Sequence, residues 1–150
     1  MKRSRRRGGQ AIVEFALVLP LLFIFLMGII DLGRGIYLYN GVSQAAREIA
    51  RAVSVHPGAP LGSSPEVAAV IDVQMSLVPG MADPRISSGS KHFIWCEYPD
   101  GTKVGNGFGT EGCAAPNVVR VEVHANYEAV ALLGFAEPFD LMSSSTNAVQ

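Results

Sequence analysis

The chain carries little with which to do chemistry. Of its 150 residues, three are histidine, two are cysteine and one is tryptophan. His56, His92 and His124 are scattered, whereas a shared metal site needs ligands that converge. A covalent nucleophile needs a base within reach, and no local pairing supplies one. Gly101–Gly112, which reads GTKVGNGFGTEG, is rich in glycine but lacks the Gly-Lys-Ser or Gly-Lys-Thr ending of a phosphate loop. It also follows a strand-like segment instead of opening a helix. These gaps exclude the familiar catalytic constellations; no enzyme activity, metal or cofactor is expected.

Charge of one sign is missing at the start. Met1–Gly9, MKRSRRRGG, has no acid and holds five of the chain's 12 basic residues, which leaves seven basic against 13 acidic residues beyond it. A basic arm this short, set directly against an apolar run, reads as a topology signal: positive residues stay cytoplasmic and the following chain crosses outward. No nucleic-acid partner is expected. From Ala11 to Ile30, IVEFALVLPLLFIFLMGII with its leading alanine, the only ionisable side chain is Glu14. Twenty helical residues span about 30 Å, the thickness of a bilayer's hydrocarbon core. Pro20 and Gly28 fall within this run, and membrane helices tolerate both. Removal as a signal peptide fits poorly, because the apolar stretch is long and Asp31, Arg34, Tyr37 and Tyr39 follow it.

Proline is absent between Asp31 and Val55. Leu32, Ile36, Tyr39, Val42, Ala46, Ile49 and Val53 recur there in steps of three and four, which predicts one apolar stripe and a helix running on to about Val55. Asp31 with Arg34, and Glu48 with Arg51, are spaced for pairing on the exposed face. Pro57-Gly58 ends the pattern. After a turn-rich linker, Pro65 and Glu66 open a shorter segment over Val67–Val78, which suits a helix although its valines would also suit a strand. Lys91–Tyr98 reads as a strand. Val118–Tyr127 is the clearest one, with Val119, Val121, Val123 and Ala125 alternating against Arg120, Glu122 and His124. The polar tail Ser143–Gln150 is expected to fray.

The expected fold class is α+β: a long N-terminal transmembrane and amphipathic helix, then a small extracytoplasmic domain with a short helix and an antiparallel sheet. The expected division is a basic cytoplasmic leader over residues 1–9, the helix over 10–56 and the small domain over 57–150. Cys96 and Cys113 bracket the glycine-rich loop. Outside the cytoplasm a disulfide between them is plausible, worth about 3 kcal/mol by loop closure, with free thiols as the alternative. Trp95, Phe93 and Tyr98 suit core or interface packing better than a ligand stack.

Glu14 requires a reason. A carboxylate at the edge of hydrocarbon is costly unless it is neutral, near the surface or paired. A cut after Gly9 would make the Gln10 amine a positive group four residues before Glu14, and would remove the basic leader. A simple interfacial acid is the other reading.

Gly9–Ala52, GQAIVEFALVLPLLFIFLMGIIDLGRGIYLYNGVSQAAREIARA, resembles the TadE-like family, minor pilin-like proteins of the tight-adherence pilus assembly system. The resemblance rests on Gly9-Gln10, Glu14-Phe15, Leu19-Pro20, Gly28 with Asp31, Gly33-Arg34 and Ala45-Ala46-Arg47-Glu48. More generally the leader is similar to that of type IV prepilins, with glycine five residues before a glutamate. That similarity implies a processing junction at Gly9 and Gln10, Glu14 and Phe15 in assembly and registration, and an aspartic prepilin peptidase as partner. Other pilin or pseudopilin subunits, the membrane assembly platform and membrane lipid are the further implied partners. The expected setting is the inner membrane, crossed once, with the C-terminal domain periplasmic. The domain after Pro57 departs from the very short major pilins of this system, which favours a minor or initiating component. Two other classes stand beside this one: a membrane-anchored extracytoplasmic binding module unrelated to a filament, and a membrane-tethered enzyme.

Overall fold

The computed structural model describes residues 7–58, 60–86, 93–104, 113–129 and 138–150. The fold is α+β with a long N-terminal helix, and its elements run α1 (Arg7–Val55), α2 (Pro65–Leu77), β1 (Ile94–Glu97), β2 (Val118–Tyr127) and β3 (Phe139–Ala148).

Helix α1 has 49 residues, about 70 Å at 1.5 Å per residue. Its first half is apolar on every side, and its most apolar window has no burial at all. The helix continues through Pro20, whose missing N–H costs one backbone bond in the ladder. The second half is amphipathic. Val42, Ala45, Ala46, Ile49 and Val53 are fully buried and Leu38 nearly so. The stripe expected from sequence is correct from Val42 onward and displaced before it. Leu32, Ile36 and Tyr39 are exposed, whereas Asp31 and Leu38 are the buried positions. The displacement follows from what the helix meets: the Tyr127 side chain lies over Asp31 and Gly35, so the packed face there runs through Asp31 and Leu38 and leaves Leu32, Ile36 and Tyr39 at the side of it.

The sheet is antiparallel in the order β1-β2-β3. Val119, Val121, Val123, Ala125 and Tyr127 point from β2 into the core, as the alternation predicted. β1 pairs with the first half of β2, Ile94 opposite Val121 and Cys96 opposite Val119. Along the same edge, Met81 bridges Ala125. Gly80 makes that approach possible: its φ is +74°, and a Cβ there would lie 2.8 Å from the Asn126 carbonyl oxygen. Helix α2 starts with Ser64 as its N-cap, whose hydroxyl accepts from the Val67 N–H, and Pro65 sits in its first turn. Val67 and Ile71 are the residues it buries.

The tail does not fray. Residues from Phe139 to Ala148 pair with β2 over ten positions, from Tyr127↔Phe139 to Val118↔Ala148. Its alternation escaped the apolar test because the inward residues after Leu141 are Ser143, Ser145 and Asn147. Ser143 and Asn147 meet small polar partners on α1 instead of a greasy layer. The Ser43 hydroxyl donates to the Ser143 hydroxyl at 3.1 Å, and the Asn147 amide donates to the Ser54 hydroxyl at 3.1 Å. The core of the C-terminal region is therefore shared: α1 supplies one layer and the sheet the other.

Cys96 and Cys113 form a disulfide with Cα atoms 5.7 Å apart. Both are buried, which places the link inside the core at the β1 edge. Outside the core layer, Trp95 and Glu97 are also buried. The indole N–H of Trp95 donates to Glu97 at 2.7 Å, Arg120 donates to the same oxygen at 2.9 Å, and the Lys103 ammonium lies 4.4 Å from the Trp95 ring centre. Packing, not ligand stacking, explains this tryptophan. Phe93 meets the His124 ring edge-on, and Tyr98 is exposed.

Candidate processing and assembly site

The residues singled out at the N-terminus lie on one helix. Because α1 begins at Arg7, Gly9 and Gln10 are in its first turn, and the Gly9 N–H is among those with no intrahelical partner. Two consecutive glycines there weaken the helix by about 1 kcal/mol each relative to alanine. A Cβ on Gly9 would meet nothing within 4 Å, so the junction is sterically open. The Gln10 side-chain amide donates to the Glu14 carboxylate at 3.2 Å, one turn apart. Glu14, Phe15 and Pro20 are exposed, as are Gly28, Gly33 and Arg34.

The motif residues separate into two groups. Gly9, Gln10, Glu14 and Phe15 sit at the head of the helix and touch nothing in the sheet. Asp31 lies on the sheet side, 8 % exposed, although its spacing to Arg34 suggested an outward pair. The Arg34 guanidinium is 3.7 Å from its carboxylate. Asp31 also fixes the sheet to the helix through its backbone, since the Tyr127 hydroxyl donates to its carbonyl at 2.7 Å. Arg47 and Glu48 are exposed beside the buried Ala45-Ala46 pair. Their place opposite the core face leaves them available to a partner and unnecessary to packing.

Sequence reasoning missed the sheet residues at this level. Tyr127, Phe139 and Leu141 close one side of an apolar groove whose other side is α1 from Ile24 to Tyr39. Alternation marked Tyr127 as a strand residue, but nothing local tied it to Asp31, 96 positions away. Elsewhere, His124 contacts Asp140 and Glu122 on the outer face of the sheet. The Asp83 carboxyl is held below its ordinary value, chiefly by a side-chain hydrogen bond from Arg85 and against the opposing effect of burial. The histidine at 92 and the glycines from 105 to 112 lie outside the described residues.

Residues 9–51 match the family described as TadE-like protein. The similarity is to that segment, under a third of the chain. The match covers the exposed apolar half of α1 and most of its packed half, and stops before the linker at Pro57. Comparison with curated proteins and with solved structures finds no match. The TadE-like segment therefore provides both the membrane-length surface and the helical layer of the core. One long apolar helix near the N-terminus fits a single-pass membrane anchor.

Proposed function

We propose that this chain is a noncatalytic, pilin-like membrane protein that acts in assembling a tight-adherence pilus or a related secretion system. The observation that carries this reading is Glu14 at the head of an exposed apolar helix, five residues beyond a glycine that ends a basic leader with no acid in it. Family membership of the segment supports a pilus-associated role. In this reading residues 1–9 are a cytoplasmic leader, residues 10–56 cross the inner membrane and project outward, and residues 57–150 form the periplasmic part. The buried disulfide supports an oxidising compartment for that part.

The chemistry of the junction follows from charge. An aspartic prepilin peptidase cuts between Gly9 and Gln10, and the weak glycine turn lets the first residues leave the helix at small cost. The leader's five cations depart with the cut, and with them the strongest hold on the cytoplasmic face. The new α-amine is cationic at neutral pH and lies one helical turn from Glu14. That amine, on the same chain or a neighbouring subunit, pairs the carboxylate and sets the register between pilin subunits at the assembly platform. The additional sheet domain suits a minor or initiating pilin better than a bulk subunit.

Mass measurement of the membrane-extracted chain tests this directly. With the peptidase present the mature chain begins at Gln10, and Gly9→Ala retains the leader. Glu14→Ala leaves membrane insertion intact and impairs incorporation into the assembly. Recovery of the intact leader beside an active peptidase sinks the processing reading, and normal incorporation of the Glu14 variant sinks the registration role. A self-standing binding module would need residues 57–150 to fold alone, and the shared core counts against that.

A further inference from the structure

The groove between α1 and the end of the sheet has a volume of about 530 Å³. Its helical side runs along the chain from Ile24 to Tyr39, about four turns or 22 Å. Gly28 and Gly35 leave the helix surface bare there, and Leu32 and Ile36 stay more than half exposed. Phe139 and Leu141 face them from β3. Exposed apolar surface of this kind calls for an occupant.

Depth identifies the occupant. Asp31 directly follows the apolar run that ends at Ile30, and Tyr127 is bonded to its carbonyl. Tyr127 pairs with Phe139 across the sheet, with ring centres 5.1 Å apart. This end of the sheet therefore sits within about one helical turn of the hydrocarbon edge. The polar layer on each side of a bilayer is about 5–8 Å thick; by helical rise Leu32 stands about 3 Å and Ile36 about 9 Å beyond Ile30, inside that layer and at its outer edge. Tyr127, bonded at the level of Asp31, is the kind of aromatic residue expected in such a layer. The lower end of the groove, at Ile24 and Gly28, lies inside the apolar run itself and is continuous with its lipid-facing surface.

The groove is open to its surroundings and lined almost wholly by apolar groups, and with its lower end inside the apolar run the acyl chains of the bilayer are the apolar surface that reaches it. The geometry points to a lipid subsite: an acyl chain of the outer leaflet lies between α1 and the Tyr127–Phe139 end of the sheet, so that the sheet makes a second membrane contact. This inference rests on α1 spanning the bilayer.

The test uses the full chain in nanodiscs of phosphatidylethanolamine and phosphatidylglycerol, with the photoreactive residue p-benzoylphenylalanine replacing Phe139. A parallel chain carries it at Val73, exposed on α2. Illumination is expected to give lipid adducts at position 139 severalfold above those at 73, read by mass spectrometry. Gly28→Trp, which fills the slot from the helix side where nothing lies within 4 Å, is expected to remove most of the adduct at 139. Crosslinked dimers at 139 would assign the groove to a second copy and overturn the inference. Equal labelling at 73, no adduct at 139, or an adduct unchanged by Gly28→Trp would overturn it too. Failure of the chain to remain in the nanodisc is a separate readout, and it overturns the anchor reading together with the inference.

Discussion

Deleting residues 1–56 removes the layer that the sheet packs on, so the remaining fragment is expected not to fold. Leu38, Val42, Ile49 and Val53 are each at most 8 % exposed. Burying a branched side chain of this size contributes about 1.5–3 kcal/mol, so these four account for roughly 6–12 kcal/mol. The whole net stability of a domain is about 5–15 kcal/mol. Loss of α1 also strands the valines of β2 in water and removes the hydrogen-bond partners of Ser143 and Asn147. A fragment of residues 31–150 keeps every one of these contacts and omits only the basic start and the lipid-length run. The two fragments are compared by circular dichroism under increasing urea. The longer is expected to show a cooperative transition and the shorter a featureless drift. A cooperative transition in residues 57–150, with a midpoint near that of the longer fragment, would refute the shared-core argument.

Three further outcomes are expected on the 31–150 fragment. Replacing Cys96 and Cys113 by serine removes a loop constraint spanning 17 positions, and stability measured by urea midpoint falls by about 3 kcal/mol. Gly80→Ala drives a Cβ to 2.8 Å from a carbonyl oxygen at a φ of +74°, costing about 1–2 kcal/mol, read as a lower melting temperature; an unchanged melting temperature would contradict the close approach. Asp83 is depressed when folded, chiefly by the Arg85 hydrogen bond, so its contribution is full above the unfolded value near 3.8 and is lost as pH falls through the lower folded value. The pair is partly solvated and worth less than about 1 kcal/mol. Melting curves of the parent and Asp83→Asn should differ slightly at pH 6 and converge in strong acid.

Legibility in the sequence tracked how local the determining physics was. The apolar run needs only its own length to show that it matches a bilayer, and Gly9 and Glu14 need only their spacing. The helix from Val42 onward announced itself by periodicity, β2 by alternation, and the two cysteines by flanking one loop. The lower part of the stripe was misread because Leu32, Ile36 and Tyr39 have helical spacing whatever they face. Asp31 was read as solvated because a charged residue beside Arg34 usually is, and nothing nearby signals the tyrosine hydroxyl that binds its carbonyl.

What the sequence alone determined is therefore the membrane-length apolar helix, the spacing of Gly9 and Glu14 and the strongest strand, each written within a window where neighbours along the chain decide the outcome. Only the tertiary structure decided that Phe139–Ala148 is a strand, because serine and asparagine carry little strand preference of their own. Their place comes from ten pairings with β2 and from the two serines on α1. The groove is likewise a product of assembly: its helical wall and its sheet wall are about a hundred residues apart in the chain, and they become one surface when Tyr127 closes on Asp31.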